Sequence, residues 1–134
     1  MEQIFVDTNI VMDLLEKRAD FYKEAQELFT LSDQRKVKLY ISALTFANVH
    51  FLLSRYLKMD ARNVLAKFKV LVEVLAVDDK IIELALNSDF RDFEDAIQYY
   101  TAIENDINIL ITRNKKDFKN VSITILNAKE FLKR

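Results

Sequence analysis

The chain has 134 residues, 51% of them hydrophobic and 31% charged, which suits one globular domain with a real core and argues against disorder. It holds no cysteine, no glycine, no proline and one histidine, His50, which excludes disulfides, thiolate zinc sites, paired-histidine metal sites and glycine-rich phosphate loops. The net charge of −1 gives no global attraction to nucleic acid, and any metal here must be held by oxygen, favouring a hard ion such as magnesium or manganese.

No apolar run reaches the roughly 20 residues that span a bilayer. The opening MEQIFVDTNIV carries two acidic residues and no basic one, so it does not read as a signal peptide and the expected location is cytoplasmic. With neither Gly nor Pro, turns must be made by Asn, Asp, Ser and Lys.

Residues 3–6 are a short apolar, β-branched run that stops at Asp7-Thr8-Asn9, which predicts a buried strand followed by helix-capping residues. Ile10, Val11, Leu14 and Leu15 recur at helical spacing, and a second amphipathic helix carries Phe21, Ala25, Leu28, Phe29 and Leu31 on one side. Residues 37–41 form the second expected strand, ending at Ser42, and residues 45–57 turn helical. Asp60 caps a further helix; residues 74–77 read as the third strand, and Asp78-Asp79 start a short helix through Leu86.

A polar loop at 87–92 opens onto a helix over about 93–104. Residues 107–112 are the fourth expected strand, 121–126 the fifth, and 128–132 a short closing helix. Strands alternating with helices predict a three-layer α/β domain over residues 1–134: a central parallel sheet of about five strands with helices on both faces.

Ligands of such sheets bind outside the carboxyl ends of the strands. There stand Asp7, Thr8 and Asn9 after strand one, Ser42 after strand two with Asn48 on the next helix, and Thr112, Arg113, Asn114 and Asp117 after strand four. Asp92, Glu94 and Asp95 begin the helix leading into strand four. Carboxylates from positions 7, 95 and 117 would converge on one edge, an arrangement that costs energy unless a cation neutralises it.

At these residues the chain resembles the PIN domain, and within it the small bacterial group that includes the VapC-like toxins. The resemblance rests on Asp7-Thr8-Asn9, Ser42-Ala43-Leu44-Thr45, Asp92-Phe93-Glu94-Asp95-Ala96 and Ile111-Thr112-Arg113-Asn114-Lys115-Lys116-Asp117-Phe118. It implies a compact three-layer fold and a magnesium- or manganese-dependent endoribonuclease, often a homodimer and often paired with an antitoxin protein. Carried over by position, Asp7 and Asp95 are the principal metal ligands, with Asp117 or Asn114 as the fourth-position group. Thr8, Asn9, Ser42 and Thr112 are supporting polar groups.

One position departs from that pattern. PIN nucleases usually carry a glutamate where this chain has Asn48. An amide can coordinate or hold a water but brings no charge. The rival reading it favours is a catalytically weak PIN domain that binds RNA or a protein without cutting.

Each residue also has a plainer reading. Asp7 can cap the first helix, Asp95 can serve only the helix dipole, and Asp117 can be a turn residue. Asp92, three residues before Asp95, is expected to cap its helix rather than bind metal. His50 is assigned no catalysis, and Tyr99 and Tyr100 are expected to be core and rim rather than a base-stacking platform. Arg113, Lys115, Lys116 and Lys119 form a solvated loop that is also the best candidate for gripping an RNA backbone.

Overall fold

The computed structural model describes all residues 1–134. Five strands, β1 (Glu2–Val6), β2 (Val37–Ser42), β3 (Glu73–Leu75), β4 (Ile109–Ile111) and β5 (Thr124–Leu126), form one sheet in the order β3-β2-β1-β4-β5. Every pairing is parallel. Seven helices connect them: α1 (Thr8–Leu15), α2 (Tyr22–Asp33), α3 (Ala43–Arg55), α4 (Ala61–Phe68), α5 (Asp79–Leu86), α6 (Phe93–Glu104) and α7 (Ala128–Leu132).

Alternation along the strands assigns the two faces. Ile4 and Val6, Leu39 and Ile41, and Ile109 and Ile111 enter the larger core with α1, α2, α3, α4 and α7. The intervening Phe5, Tyr40 and Leu110 point the other way and meet Tyr99 and Ala102 of α6, which α5 backs. The three-layer expectation is met. β1 lies between β2 and β4, and the chain reverses its direction of sheet growth there, so the carboxyl ends of β1 and β4 flank the crevice where doubly wound folds bind ligands.

Three strands are shorter than their apolar runs. β3 spans Glu73–Leu75 rather than 74–77 because its one partner, β2, ends at Ser42 opposite Leu75. β4 is confined to Ile109–Ile111: Ile107 is buried outside the ladder, and Thr112 leaves it to face Asp7. β5 pairs only where β4 does, so residues 121–123 lie outside it.

Lacking glycine, the chain follows α1, α2, α3 and α6, and the turn at 115–117, with residues in the left-handed region. Lys17, Arg35, Lys58, Asp106 and Asn120 have φ between 52° and 59°. After α2, Arg35 N–H reaches Ser32 O and Lys36 N–H reaches Leu31 O, both at 2.9 Å. That is the hydrogen-bond pair with which a glycine usually closes a helix.

Candidate metal centre

Asp7 stands one residue past β1 and caps α1, accepting the Thr8 N–H at 2.8 Å. The capping reading is thus true of Asp7, and it does not exhaust the residue. Only 5% exposed, its carboxylate also accepts Thr112 Oγ1–H at 2.8 Å, Gln98 Nε2–H at 3.2 Å and Asn9 Nδ2–H at 3.5 Å. Burial pushes this carboxyl above its usual range and the Asp92 charge adds to the push, while the donors from Thr112, Gln98 and Thr8 oppose it.

The polar residues after β2 and β4 act as the frame around Asp7. Thr112 Oγ1 also receives Asn114 N–H at 3.1 Å and Asn9 Nδ2–H at 3.3 Å. Ser42 caps α3 by accepting Thr45 N–H, and its hydroxyl donates to Gln98 Oε1 at 2.6 Å. The Thr8 and Thr45 hydroxyls meet at 2.8 Å.

Gln98 is the hub of this frame and no motif names it. It is 2% exposed and donates to Asp7, Thr8 and Thr45 while accepting from Ser42. Its signal in the sequence is a lone amide inside the apolar stretch Ala96-Ile97-Gln98-Tyr99, three residues past Asp95 and so on the same side of the helix.

Asp95 sits in the first turn of α6, half-buried, with Asp92 capping that helix by accepting Asp95 N–H at 3.0 Å, as expected. Asp95 is perturbed in the same direction as Asp7. Burial, then the charges of Asp7, Asp92, Asp117 and Glu94, push its carboxyl up to about 7. Asp7, Asp92, Glu94, Asp95 and Asn114 line one open cleft of about 300 Å³. Glu94 accepts the Asn48 amide at 2.7 Å, so a carboxylate does stand beside Asn48, supplied by α6 instead of α3.

Asp117 lies in a 3-10 turn (Lys115–Asp117) and lines a neighbouring cleft that shares Asp92, its charge still acting on Asp95, whereas Asn114 lines the cleft of Asp7 and Asp95. Two of the loop cations are occupied within the fold. Arg113 Nε binds the buried Asp13 at 2.9 Å and its guanidinium stacks 4.1 Å from the Phe21 ring. Lys115 Nζ binds both Glu130 oxygens at 2.8 and 2.9 Å. Lys116 and Lys119 remain exposed and unpaired. Asp13, in mid-helix between Met12 and Leu14, had an equally plain signal: an acid at a core position.

The donor set suits a hard cation. All donors are oxygens, several acids crowd one edge, and the cleft is open to water. No three of the acids are gathered closely enough to hold a metal ion together, so an ion here would rest on one or two carboxylates and keep several waters.

The family described as PIN domain matches residues 3–116. The chain is 28% identical over 141 residues to Ribonuclease VapC1 of Aquifex aeolicus (strain VF5), covering 99% of this chain and 95% of that protein. A toxin–antitoxin complex from Klebsiella pneumoniae superposes with a TM-score of 0.69 at 25% identity, covering 93% of this chain and 97% of the other. The fold also matches VapC20 of Mycobacterium tuberculosis, described as a sarcin-ricin loop cleaving toxin. That match has a TM-score of 0.64 and 22% identity over 80% of this chain and 86% of the other.

Proposed function

This chain belongs to the PIN-domain family, and on that premise we propose that it is a metal-dependent endoribonuclease hydrolysing RNA phosphodiester bonds, the toxin of a toxin–antitoxin pair. One observation carries the reading: Asp7 after β1 and Asp95 on α6, far apart in sequence, share one open cleft at the sheet's switch point. The relative named Ribonuclease VapC1 and the Klebsiella toxin–antitoxin complex support the activity and the antitoxin partner.

In this reading Asp7 and Asp95 hold magnesium or manganese, with Asn114, which lines their cleft, or Asp117, whose charge acts on Asp95, as the further group. When bound, such an ion supplies Lewis-acid stabilisation of a phosphate and lowers the pKa of a water. The chain's own residues do the rest. Gln98, Thr112 and Thr8 fix the orientation of Asp7 by donating to its two oxygens. Asp95, whose proton is held to about pH 7, gives that proton up on becoming a ligand. Lys116 and Lys119 are free to pair with backbone phosphates.

Homodimerisation and a cytoplasmic site of action complete the proposal. No helix is long and apolar enough to cross a membrane. The rival, a binding module without catalysis, drew on the missing charge at Asn48. Glu94 stands 2.7 Å from that amide and restores a negative charge to the cleft, which favours the enzyme. Incubating purified protein with structured RNAs in manganese, magnesium or chelator tests it. Metal-dependent cutting supports the nuclease, and uniform absence of cutting supports the binding module.

A further inference from the structure

Beside the acidic cleft lies a larger one of about 760 Å³, and Asp92 belongs to both. Its apolar wall is aromatic. Phe90 and Tyr100 are half-buried, each leaving part of its ring at the surface. Their rings lie 6.3 Å apart at a steep angle. Behind them Tyr99 and Phe118 are buried, with ring contacts to Phe90 at 5.4 and 5.8 Å. Tyr99 is pinned by its hydroxyl to Ser122. The wall is therefore rigid, and the aromatic surface it exposes is already oriented.

The rim carries three cations that the fold leaves unpaired. Arg91, Lys116 and Lys119 are exposed and form no ion pair or side-chain hydrogen bond, although Asp89, Asp92 and Asp117 line the same cleft. Arg113 and Lys115, a few residues away, are both paired. Asn120 adds an amide with no hydrogen-bond partner in the fold, on a backbone held at φ 57°. A half-exposed aromatic wall, a free amide and unpaired cations are what a nucleotide of a single strand requires: a ring face for the base, a donor and acceptor for its edge, and charge for its phosphate.

We propose that this cleft is a subsite for one nucleotide of single-stranded RNA next to the cut phosphate, with Phe90 and Tyr100 against the base, Asn120 at the base edge and Lys116 and Lys119 on the backbone. The inference rests on the ribonuclease reading in taking RNA as the occupant. The volume suits it, since pockets of several hundred Å³ hold ligands of this size. The shared Asp92 makes the subsite continuous with the proposed metal site, so a strand lying in both would present its phosphate to Asp7 and Asp95.

The test is fluorescence anisotropy of a labelled single-stranded RNA octamer, in chelator so that nothing is cut, across a range of salt. Base stacking on an aromatic side chain contributes about 1–3 kcal/mol. Tyr100→Leu should therefore bind at least about fivefold more weakly, and up to about 150-fold, while Tyr100→Phe, which keeps the ring, binds within about twofold of the unaltered protein. In Lys116→Gln/Lys119→Gln the slope of log affinity against log salt should flatten by about 1.4, at about 0.7 for each of the two phosphates no longer neutralised. Lys67→Gln, an exposed residue of α4 that lines neither cleft, should change nothing, and melting temperatures identify any variant that fails to fold.

Affinity of Tyr100→Leu equal to the unaltered protein, an unchanged salt slope in the double variant, or no RNA binding by the unaltered protein would each overturn the subsite. Manganese-dependent cleavage, measured separately, keeps the two claims apart. Weakened binding in the variants of a protein that never cuts leaves the subsite standing and removes the nuclease. Cutting with unaltered affinity in every variant does the reverse.

Discussion

The side-chain amide of Asn48 on α3 donates to Glu94 Oε1 on α6 at 2.7 Å, tying the two helices together at the mouth of the cleft that holds Asp7 and Asp95. A neutral residue and an acid here share a place where two acids would repel. Asn48→Glu should therefore replace a hydrogen bond by a like-charge contact, costing about 0.5–1 kcal/mol at this exposed position. The melting temperature of the metal-free protein should fall by about 2–5 °C. The extra charge should tighten manganese binding, read by isothermal titration. Adding Glu94→Gln should recover the lost stability. Unchanged melting and unchanged manganese affinity in Asn48→Glu would mean that the two side chains do not meet in solution.

Asp95 sets a pH dependence. Its folded carboxyl titrates near 7, above the 3.8 of an unperturbed aspartate, so between those values the folded state holds a proton that the unfolded chain has lost. Stability of the metal-free protein should then fall as pH rises from about 4 to 7 and level off above. Asp7, also raised by burial, acts in the same direction, so the informative quantity is the difference between proteins. Urea midpoints across that range should decline less steeply in Asp95→Asn. Manganese, which must displace the proton, should bind about tenfold more weakly per pH unit below 7. Parallel curves for the two proteins would assign the pH dependence to another group.

Gln98 gives a third prediction. It satisfies Asp7, Thr8, Thr45 and Ser42 at once inside the protein. Gln98→Leu leaves those buried groups without their partner and should cost about 2–4 kcal/mol by urea denaturation. With Asp7 no longer held in place, manganese affinity should drop about 10–100-fold. A loss of stability with full manganese affinity would show that Gln98 serves the fold alone.

Why Gln98 and Asp13 escaped a motif-based reading is physical. Sequence patterns register strand ends and helix starts, where Asp7, Ser42, Asp92 and Thr112 announce themselves by position. A polar residue inside a helix is legible only once the helix's buried face is known, and both lie on such faces. The parallel sheet and its helices were readable because apolar runs and capping residues alternate so regularly. The strand ends were not, since ladder length depends on the partner: β3 stops with β2, and residues 121–123 find no neighbour on β4. The loop expected to grip RNA was half legible. Lys116 and Lys119 are free, but the partners of Arg113 and Lys115 lie 100 and 15 residues away.

The glycine-free helix ends offer a test of stability alone. Arg35 closes α2 at φ 59°, a conformation that costs a non-glycine residue about 1 kcal/mol or more. Arg35→Gly keeps both closing backbone bonds and should raise stability by about 0.5–1 kcal/mol, net of the freedom glycine adds to the unfolded chain. The urea midpoint should rise with the slope unchanged. A lower midpoint would mean that the Arg35 side chain contributes more than its strained backbone costs.

The most direct test of the metal-dependent nuclease compares the unaltered chain with Asp95→Asn on one end-labelled structured RNA, with manganese and with chelator. Defined cleavage by the unaltered protein is expected in manganese and none in chelator. A folded Asp95→Asn should cut at least a hundredfold more slowly, on the order of what losing a key electrostatic group costs. Cleavage that persists in chelator, or that Asp95→Asn carries out at the full rate, would contradict a metal held by Asp7 and Asp95.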